Sequence, residues 1–184
     1  RVLSLGAGVQ STTLLLMSCR GELPRLDAAV FADTGWEPKA VYLQLKWARK
    51  EAKKHGIPVH VTRAGNIRED ALRSQVRGRV AEGSRWASIP FRVLQANGSD
   101  GMIKRQCTRE YKIDVVKKRI RELLGLQPRQ RAAGRFHVEE WIGISFDEAH
   151  RAKPARDSWI TTRWPLLTDL NRPYRRQDCE RWLT

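Results

Sequence analysis

The sequence is poor in cysteine, with three among its 184 residues, and it holds no apolar run near the roughly 20 residues that a membrane-spanning helix needs. Scarce cysteine argues against a disulfide framework. The first residues also lack the charged, apolar and small-residue order of a secretory leader. These absences predict a cytoplasmic protein with no membrane partner.

Acidic residues are scarce as well: 20 Asp and Glu stand against 35 Lys and Arg, which gives a formal net charge of +15. Lys and Arg bind phosphate oxygens, so this excess predicts a polyanionic partner, nucleic acid above all. A solvated arginine-rich surface is the alternative. The length predicts a single domain, 1–184. Because the chain begins inside a predicted strand without a methionine and ends inside a predicted helix, we expect the natural protein to extend beyond both ends.

Short apolar segments alternate with amphipathic ones along most of the chain. This alternation predicts an α/β fold, a parallel twisted sheet with helices on both faces. Strands are predicted at about 2–5, 26–32, 57–61 and 138–144, and helices at about 13–20, 38–54, 66–76, 108–124 and 173–183.

Residues 77–106 are predicted as one long irregular loop, because glycine, serine and proline recur there among basic and aromatic residues. A loop of this length in a compact domain is usually functional or disordered. Basic residues interleaved with aromatic ones suit single-stranded nucleic acid or a nucleotide, through phosphate pairing and base stacking. A solvated loop is the alternative.

The turn at residues 4–12, Ser-Leu-Gly-Ala-Gly-Val-Gln-Ser-Thr, links the first predicted strand to the first helix. Gly6 and Gly8 predict a backbone that approaches a ligand closely and takes positive φ, while Ser11 and Thr12 supply hydroxyls and free amides at the helix start. Such a turn is suited to phosphate. A strand-to-helix turn without a ligand is the alternative.

Spacing separates the known nucleotide motifs. The turn contains no lysine, which excludes a Walker loop. A Gly-x-Gly-x-x-Gly dinucleotide fingerprint is incomplete, because Ser11 stands at its third glycine. Asp33 and Thr34 follow the second predicted strand, and ligands of open parallel sheets lie at the carboxyl ends of strands, so we expect both beside the turn. For Asp33, a turn-forming role is the alternative.

The turn resembles the Ser-Gly-Gly-x-Asp-Ser loop of the PP-loop ATP pyrophosphatases, with Gly6 to Ser11 in the six places. It departs from that pattern at Gly6, Ala7 and Gln10. Together with the strand end Asp33-Thr34-Gly35-Trp36 and the strand spacing, the chain resembles the phosphoadenosine phosphosulfate (PAPS) reductase-like branch of that superfamily, which has the adenine nucleotide alpha hydrolase-like fold. The resemblance covers the first 65 residues and, through two later motifs, most of the chain.

By this resemblance the chain binds ATP and Mg²⁺ and splits ATP between the α and β phosphates, adenylating a substrate for sulfur transfer. The implied nucleotide-binding residues of the first 65 are Leu5, Gly6, Ala7, Gly8, Gln10, Ser11, Thr12, Asp33 and Thr34. The segment after the strand at 138–144 adds Gly143, Ser145 and Arg151. The implied catalytic residues are Ser11, Asp33, Arg151 and Cys107. From the residues alone, Ser145-x-x-Glu148 is also a capping box, with Arg151 on the surface.

Cys107 precedes a predicted helix capped by Thr108 and is flanked by basic residues, which favours its thiolate. A reactive sulfur, a metal ligand and a plain loop cysteine are all compatible with this position. Relatives that the chain resembles carry cysteines at the positions of Cys107 and Cys179, followed by a Cys-x-x-Cys pair. This implies an iron-sulfur cluster, or zinc, in the full-length protein, completed by residues outside this chain.

The resemblance and the basic charge together indicate a nucleic acid as the sulfur acceptor, through DNA phosphorothioation or tRNA thiolation, with a sulfur donor such as a cysteine desulfurase. Two alternatives remain. One is a PAPS or APS reductase acting on a sulfonucleotide. The other is a non-catalytic nucleotide- or nucleic-acid-binding module, which Gln10 favours because the superfamily has Asp there.

Overall fold

The computed structural model describes residues 1–70, 92–94, 98–102 and 108–184. The strands are β1 (Val2–Ser4), β2 (Ala28–Asp33), β3 (Val59–Arg63), β4 (Arg92–Leu94), β5 (Asp100–Met102), β6 (Val138–Ile142) and β7 (Ile160–Arg163). The α-helices are α1 (Val9–Arg20), α2 (Lys39–Lys54), α3 (Asp114–Leu123), α4 (Pro165–Thr168) and α5 (Arg176–Leu183). A π-helical turn, Arg109–Ile113, leads into α3, and a 3₁₀ segment, Phe146–Arg151, follows β6.

Five strands form one sheet in the order β3-β2-β1-β6-β7, and every pairing in it is parallel. Val2 of the central strand is in register with Ala28 of β2 on one side and with Glu140 of β6 on the other. The chain thus builds outward from β1 through β2 to β3, then returns to the opposite side of β1. Such a reversal of strand order is where open α/β sheets bind ligands.

Apolar cores cover both faces of the sheet, which explains why its strands are rich in apolar residues. Leu3, Phe31 and Trp141 face α1, α2 and α5, whereas Val30 and Val138 face α3. All six residues of β2 are buried, as expected for an inner strand of a parallel sheet covered on both faces. The predicted fold class, a parallel α/β sheet with helices on both faces, is confirmed.

Several predicted boundaries are wrong for local reasons. Helix α1 begins at Val9 rather than near residue 13, so Ser11 and Thr12 lie inside its first turn. The last helix begins at Arg176, because Arg175 is extended and donates its amide to the carboxylate of Asp178 at 2.8 Å. Strand β7 and helix α4 have no counterpart among the predicted elements.

The predicted loop at 77–106 is corrected where the structure describes it. Strands β4 and β5 pair antiparallel, with Arg92 in register with Met102. The other residues of this predicted loop lie outside the described residues. Within the described parts of the chain, no helix is both long and apolar enough to cross a membrane.

Candidate nucleotide site

The turn between β1 and α1 lies at the carboxyl edge of the central strand. The Ser11 hydroxyl closes it: the Gly6 amide donates to Ser11 Oγ at 3.2 Å, and Ser11 Oγ donates to the Gly8 carbonyl at 3.3 Å. The first amide of the turn with a helical partner is that of Thr12, which donates to the Gly8 carbonyl at 3.0 Å. Ser11 thereby fixes the shape of the phosphate loop predicted from the sequence.

The amides of Val9, Gln10 and Ser11 have no hydrogen-bond partner among the described residues. They form the first turn of α1, where the partial positive charge of the helix is concentrated. Gly8 at the N-cap is extended, with φ −92° and ψ 178°, and has no side chain to cap these donors. The start of α1 is therefore able to bind an anion.

The sequence-based assignment of positive φ to Gly6 and Gly8 is wrong. The residue of this turn with positive φ is Ala7, at 52°. An alanine in the left-handed region carries a backbone strain that glycine does not. Its methyl group is packed in the core under α1 and α2, since Ala7 is 4% exposed.

Gly143, just after β6, lies directly against the start of α1. A Cβ placed on Gly143 would lie 2.8 Å from the Ser11 nitrogen and 3.0 Å from the Gln10 carbonyl carbon. Both atoms are backbone and cannot rotate away. Gly143 is therefore required for the close approach of the loop after β6 to the turn at Gly6 to Ser11.

Gln10 joins the same two segments through its side chain. Its Nε2 donates to Ser145 Oγ at 3.4 Å and to Glu148 Oε2 at 3.5 Å, both long hydrogen bonds. The predicted capping box is wrong, because Ser145 makes no side-chain cap bond among the described residues. Ser145 and Glu148 instead accept hydrogen bonds from the side-chain amide of Gln10.

A cleft of about 370 Å³ opens beside this turn. Its wall includes five of the predicted site residues: Leu5, Gly6, Gly8, Gln10 and Ser11. Gly143 and Arg151 line it from the β6 side. The structure thus brings together the two sequence segments that the resemblance had implied.

Three cations line the cleft: Lys112, Arg151 and Arg176. Each also has an acidic partner. Lys112 Nζ lies 3.3 Å from Glu37 Oε1, Arg151 pairs with Glu148, and Arg176 Nε donates to Glu180 at 3.0 Å. These side chains are about half exposed, so a bound phosphate is able to replace the carboxylate partners at little cost.

Asp33 does not line this cleft. Its carboxylate accepts from Arg63 Nε at 3.1 Å, from the Tyr42 hydroxyl at 2.9 Å and from the Gly35 amide at 2.8 Å. Burial alone would raise the pKa of Asp33, but the Arg63, Gly35 and Tyr42 hydrogen bonds outweigh it and hold the pKa below its usual value. The network fixes the loop after β2.

Two threonines expected to contact the nucleotide have other surroundings. Thr12 is fully buried in α1, and its Oγ1 has no partner among the described residues. Thr34 is 6% exposed, and its hydroxyl donates to Glu37 Oε1 at 3.0 Å. Neither lines the cleft.

Cys179, an implied cluster ligand, is fully buried in the core between α5 and α1, and burial raises the pKa of its thiol. Cys107, the other implied ligand and candidate nucleophile, lies outside the described residues. Within the parts that are described, no three His, Cys, Asp or Glu side chains converge on a metal site.

Sequence reasoning missed the cleft roles of Lys112, Arg176 and Glu148. Arg176 comes from the far end of the chain and reaches the cleft because α5 packs alongside α1. No local sequence pattern predicts that Arg176 reaches the cleft, because its position depends on the packing of two helices. Glu148 was visible in the sequence, but its spacing from Ser145 suggested a helix cap.

A scan of the chain against models of known protein families gave no match, and a search of curated protein sequences gave none. A function for this chain is therefore inferred from the geometry of the site.

Proposed function

We propose that this chain is a PP-loop-type ATP pyrophosphatase that adenylates a substrate for sulfur transfer. The observation that carries the proposal is the turn at Gly6 to Ser11. This turn stands at the carboxyl end of the central strand, where strand order reverses. Gln10 and Ser11, whose amides have no partner among the described residues, line a cleft together with three cations. Donors of this kind suit a triphosphate far better than a neutral ligand.

In this proposal the phosphates occupy the cleft between the turn and the three cations. An acceptor oxygen attacks the α phosphorus, the bond from that phosphorus to the bridging oxygen breaks, and pyrophosphate leaves. The preorganised amides of Gln10 and Ser11, both residues of the cleft wall, stabilise the charge that grows on pyrophosphate. Lys112, Arg151 and Arg176 neutralise the remaining phosphate charge.

Mg²⁺ normally accompanies ATP, and it binds through one or two carboxylates completed by substrate phosphates and water. Glu148 is the carboxylate that lines the cleft among the described residues, so it fits this donor pattern. Bound there, the ion would supply charge neutralisation on the phosphate oxygens. Asp33 is a positioning residue in this proposal, because it does not line the cleft and its carboxylate binds Arg63, Tyr42 and Gly35.

The acceptor in this proposal is a nucleic acid, either a tRNA base or a DNA phosphate. The protein itself is proposed to act in the cytoplasm. After adenylation, a sulfur nucleophile from a donor such as a cysteine desulfurase attacks the activated atom, and AMP leaves. The net charge of +15 supports a polyanionic acceptor over a small neutral one.

A second candidate function is favoured by Gln10. The side-chain amide of Gln10 donates hydrogen bonds to Ser145 and Glu148. The turn therefore has no carboxylate at the position where the resemblance implies an aspartate. A non-catalytic nucleotide-binding module would keep the same cleft and lose only the cleavage of ATP. Product analysis separates the two functions.

The test uses ATP labelled in the α or γ phosphate, incubated with the protein, Mg²⁺, hydrosulfide and a nucleic-acid acceptor. AMP and pyrophosphate are the expected products, and Ser11→Ala is expected to slow their formation at least tenfold by opening the turn. Lys54→Ala, on an exposed part of α2, is the control and should match the unaltered protein. ADP and phosphate would contradict the proposal, and tight binding without products would favour the module.

A further inference from the structure

Two exposed aromatic side chains stand beside arginines near the candidate site. Trp36 is 52% exposed, and the Arg68 guanidinium lies 6.0 Å from its ring centre. Phe146 is 50% exposed, and the Arg175 guanidinium lies 5.4 Å from its ring centre. Exposed aromatic rings beside cationic side chains are the groups on which unpaired nucleic-acid bases stack.

Both rings belong to the carboxyl edge of the sheet. Trp36 follows β2 by three residues, and Phe146 follows β6 by four. Strands β2 and β6 are the two neighbours of β1. The loops that carry the rings therefore flank the turn at Gly6 to Ser11, and the strands they leave are about 10 Å apart.

Backbone hydrogen bonds hold both loops in place. The Ile67 amide donates to the Thr34 carbonyl at 2.9 Å, and the Trp36 amide donates to Thr34 Oγ1 at 3.4 Å. The Phe146 amide donates to the Tyr174 carbonyl at 2.8 Å. Loops fixed in this way lose little backbone freedom when a ligand binds to them.

The opposite edge of the sheet provides a contrast. There the pairs are Arg20 with Trp182 and Arg135 with Phe136. Trp182 and Phe136 are only partly exposed and pack against the two cores. Their aromatic surface stabilises the fold, whereas that of Trp36 and Phe146 is open.

We propose that the carboxyl edge binds a single-stranded stretch of nucleic acid, with one base stacked on Trp36 and another on Phe146. The inference rests on the proposed function and names the form of its acceptor. Unpaired bases offer free faces to aromatic rings, whereas the bases of a duplex are already stacked on each other. Arg68 and Arg175 supply charge for the adjacent phosphates, and the strand between the two bases crosses the cleft.

The test measures fluorescence anisotropy of labelled oligothymidylate and oligouridylate of about a dozen nucleotides, and of a duplex of equal length. The single strands are expected to bind at least tenfold more tightly than the duplex. Trp36→Ala and Phe146→Ala should each weaken single-strand binding at least fivefold, and Trp36→Phe should retain it. A preference between the two oligonucleotides would distinguish DNA from RNA as the acceptor.

Charge variants provide an independent readout. Arg68→Ala and Arg175→Ala should each lower the slope of log affinity against log salt by about 1. The aromatic variants should leave that slope unchanged. The matched controls are Leu43→Ala, which removes an exposed apolar side chain of α2, and Arg20→Ala, which removes a cation at the opposite edge. Neither should change affinity more than twofold. Circular dichroism verifies that every variant is folded.

Equal binding of duplex and single strand would overturn the inference, and so would aromatic variants that behave like Leu43→Ala. ATP titration of the same variants separates this inference from the proposed function. ATP binding should survive in Trp36→Ala and Phe146→Ala. If these variants lose ATP binding and keep oligonucleotide binding, the two rings contact ATP rather than the oligonucleotide, and the inference is wrong. If the unaltered protein binds oligonucleotide but no ATP, the proposed function fails instead.

Discussion

Gly143 lies so close to Ser11 that no side chain fits between them. A Cβ at Gly143 would come within 2.8 Å of the Ser11 amide nitrogen, and the other nearest atoms are also backbone. The loop after β6 and the start of α1 are thereby held as one unit. The shape of the candidate phosphate loop depends on a residue more than a hundred positions away in the sequence.

The first prediction concerns this contact. Gly143→Ala should destabilise the fold by about 1 to 3 kcal/mol, because the added methyl must push backbone aside, and it should weaken ATP binding. Urea unfolding and ATP titration measure the two effects. Gly8→Ala is the matched comparison, since a Cβ there meets nothing within 4 Å. Gly8→Ala should lower the free energy of unfolding by at most about 1 kcal/mol, because it changes only the N-cap residue. It should nevertheless weaken ATP binding at least tenfold, because the added methyl group enters the cleft. Equal stability of the two variants would contradict this account.

A second prediction addresses Gln10. Gln10→Glu should destabilise the protein near neutral pH, because it places a carboxylate beside Glu148, which now accepts from the Gln10 amide at 3.5 Å. The repulsion raises the pKa of the introduced carboxyl, so its cost should be largest above that pKa and shrink as the pH falls. The exchange Gln10→Glu with Glu148→Gln should restore the donor-acceptor pair. Thermal unfolding of the two single variants and of the double variant measures the coupling between positions 10 and 148. Strictly additive effects on stability would argue against a direct contact between them.

A third prediction follows from the lowered pKa of Asp33. A carboxyl whose pKa is lower in the folded chain than in the unfolded one stabilises the fold above the unfolded pKa, about 3.9, and loses that contribution as the pH falls further. Asp33→Asn should therefore cost about 1 to 2 kcal/mol at pH 7, and the deficit should shrink toward pH 2. Urea unfolding across this range measures it. Tyr42→Phe, which removes one hydrogen bond to the same carboxylate, should show a smaller deficit. A deficit independent of pH would contradict the assigned network.

A fourth prediction concerns the cysteines. Cys179 is fully buried, whereas Cys19 is partly exposed. Burial raises the pKa of both thiols, so neither is a ready nucleophile. Under native conditions a thiol reagent should modify Cys19 before Cys179, and urea should expose Cys179. Mass spectrometry of digested protein locates the label. Rapid native labelling of Cys179 would contradict its placement in the core.

The sequence was sufficient for four of the five strands of the parallel sheet, because the signals of those strands are local. Apolar segments of strand length, such as Ala28 to Asp33, and stop residues such as Gly21 identify elements without knowledge of their neighbours. The order of strands and helices then restricts the topology. The start of α1 was misplaced because Ser11 and Thr12 are typical N-cap residues, although the N-cap is Gly8.

The candidate site was predictable only in part. The turn at Gly6 to Ser11 and the segment Gly143 to Arg151 carry recognisable patterns, and both line the cleft. Lys112 and Arg176 reach it through the packing of helices, which no local pattern reports. Asp33 illustrates the opposite error, a residue that was expected in the cleft and does not line it. The end of β2 was located correctly, but the Asp33 carboxylate binds Arg63 and Tyr42, which no local sequence pattern could show.

The central claim is that the cleft beside the turn holds ATP and directs its cleavage to pyrophosphate. The most direct measurement is isothermal titration of the protein with ATP and with PAPS, with pyrophosphate followed in the same samples. The account predicts that ATP binds in preference to PAPS, that Gly8→Ala abolishes most of this binding, and that pyrophosphate appears. Binding of PAPS without ATP, and without pyrophosphate, would contradict the account and indicate a sulfonucleotide reductase.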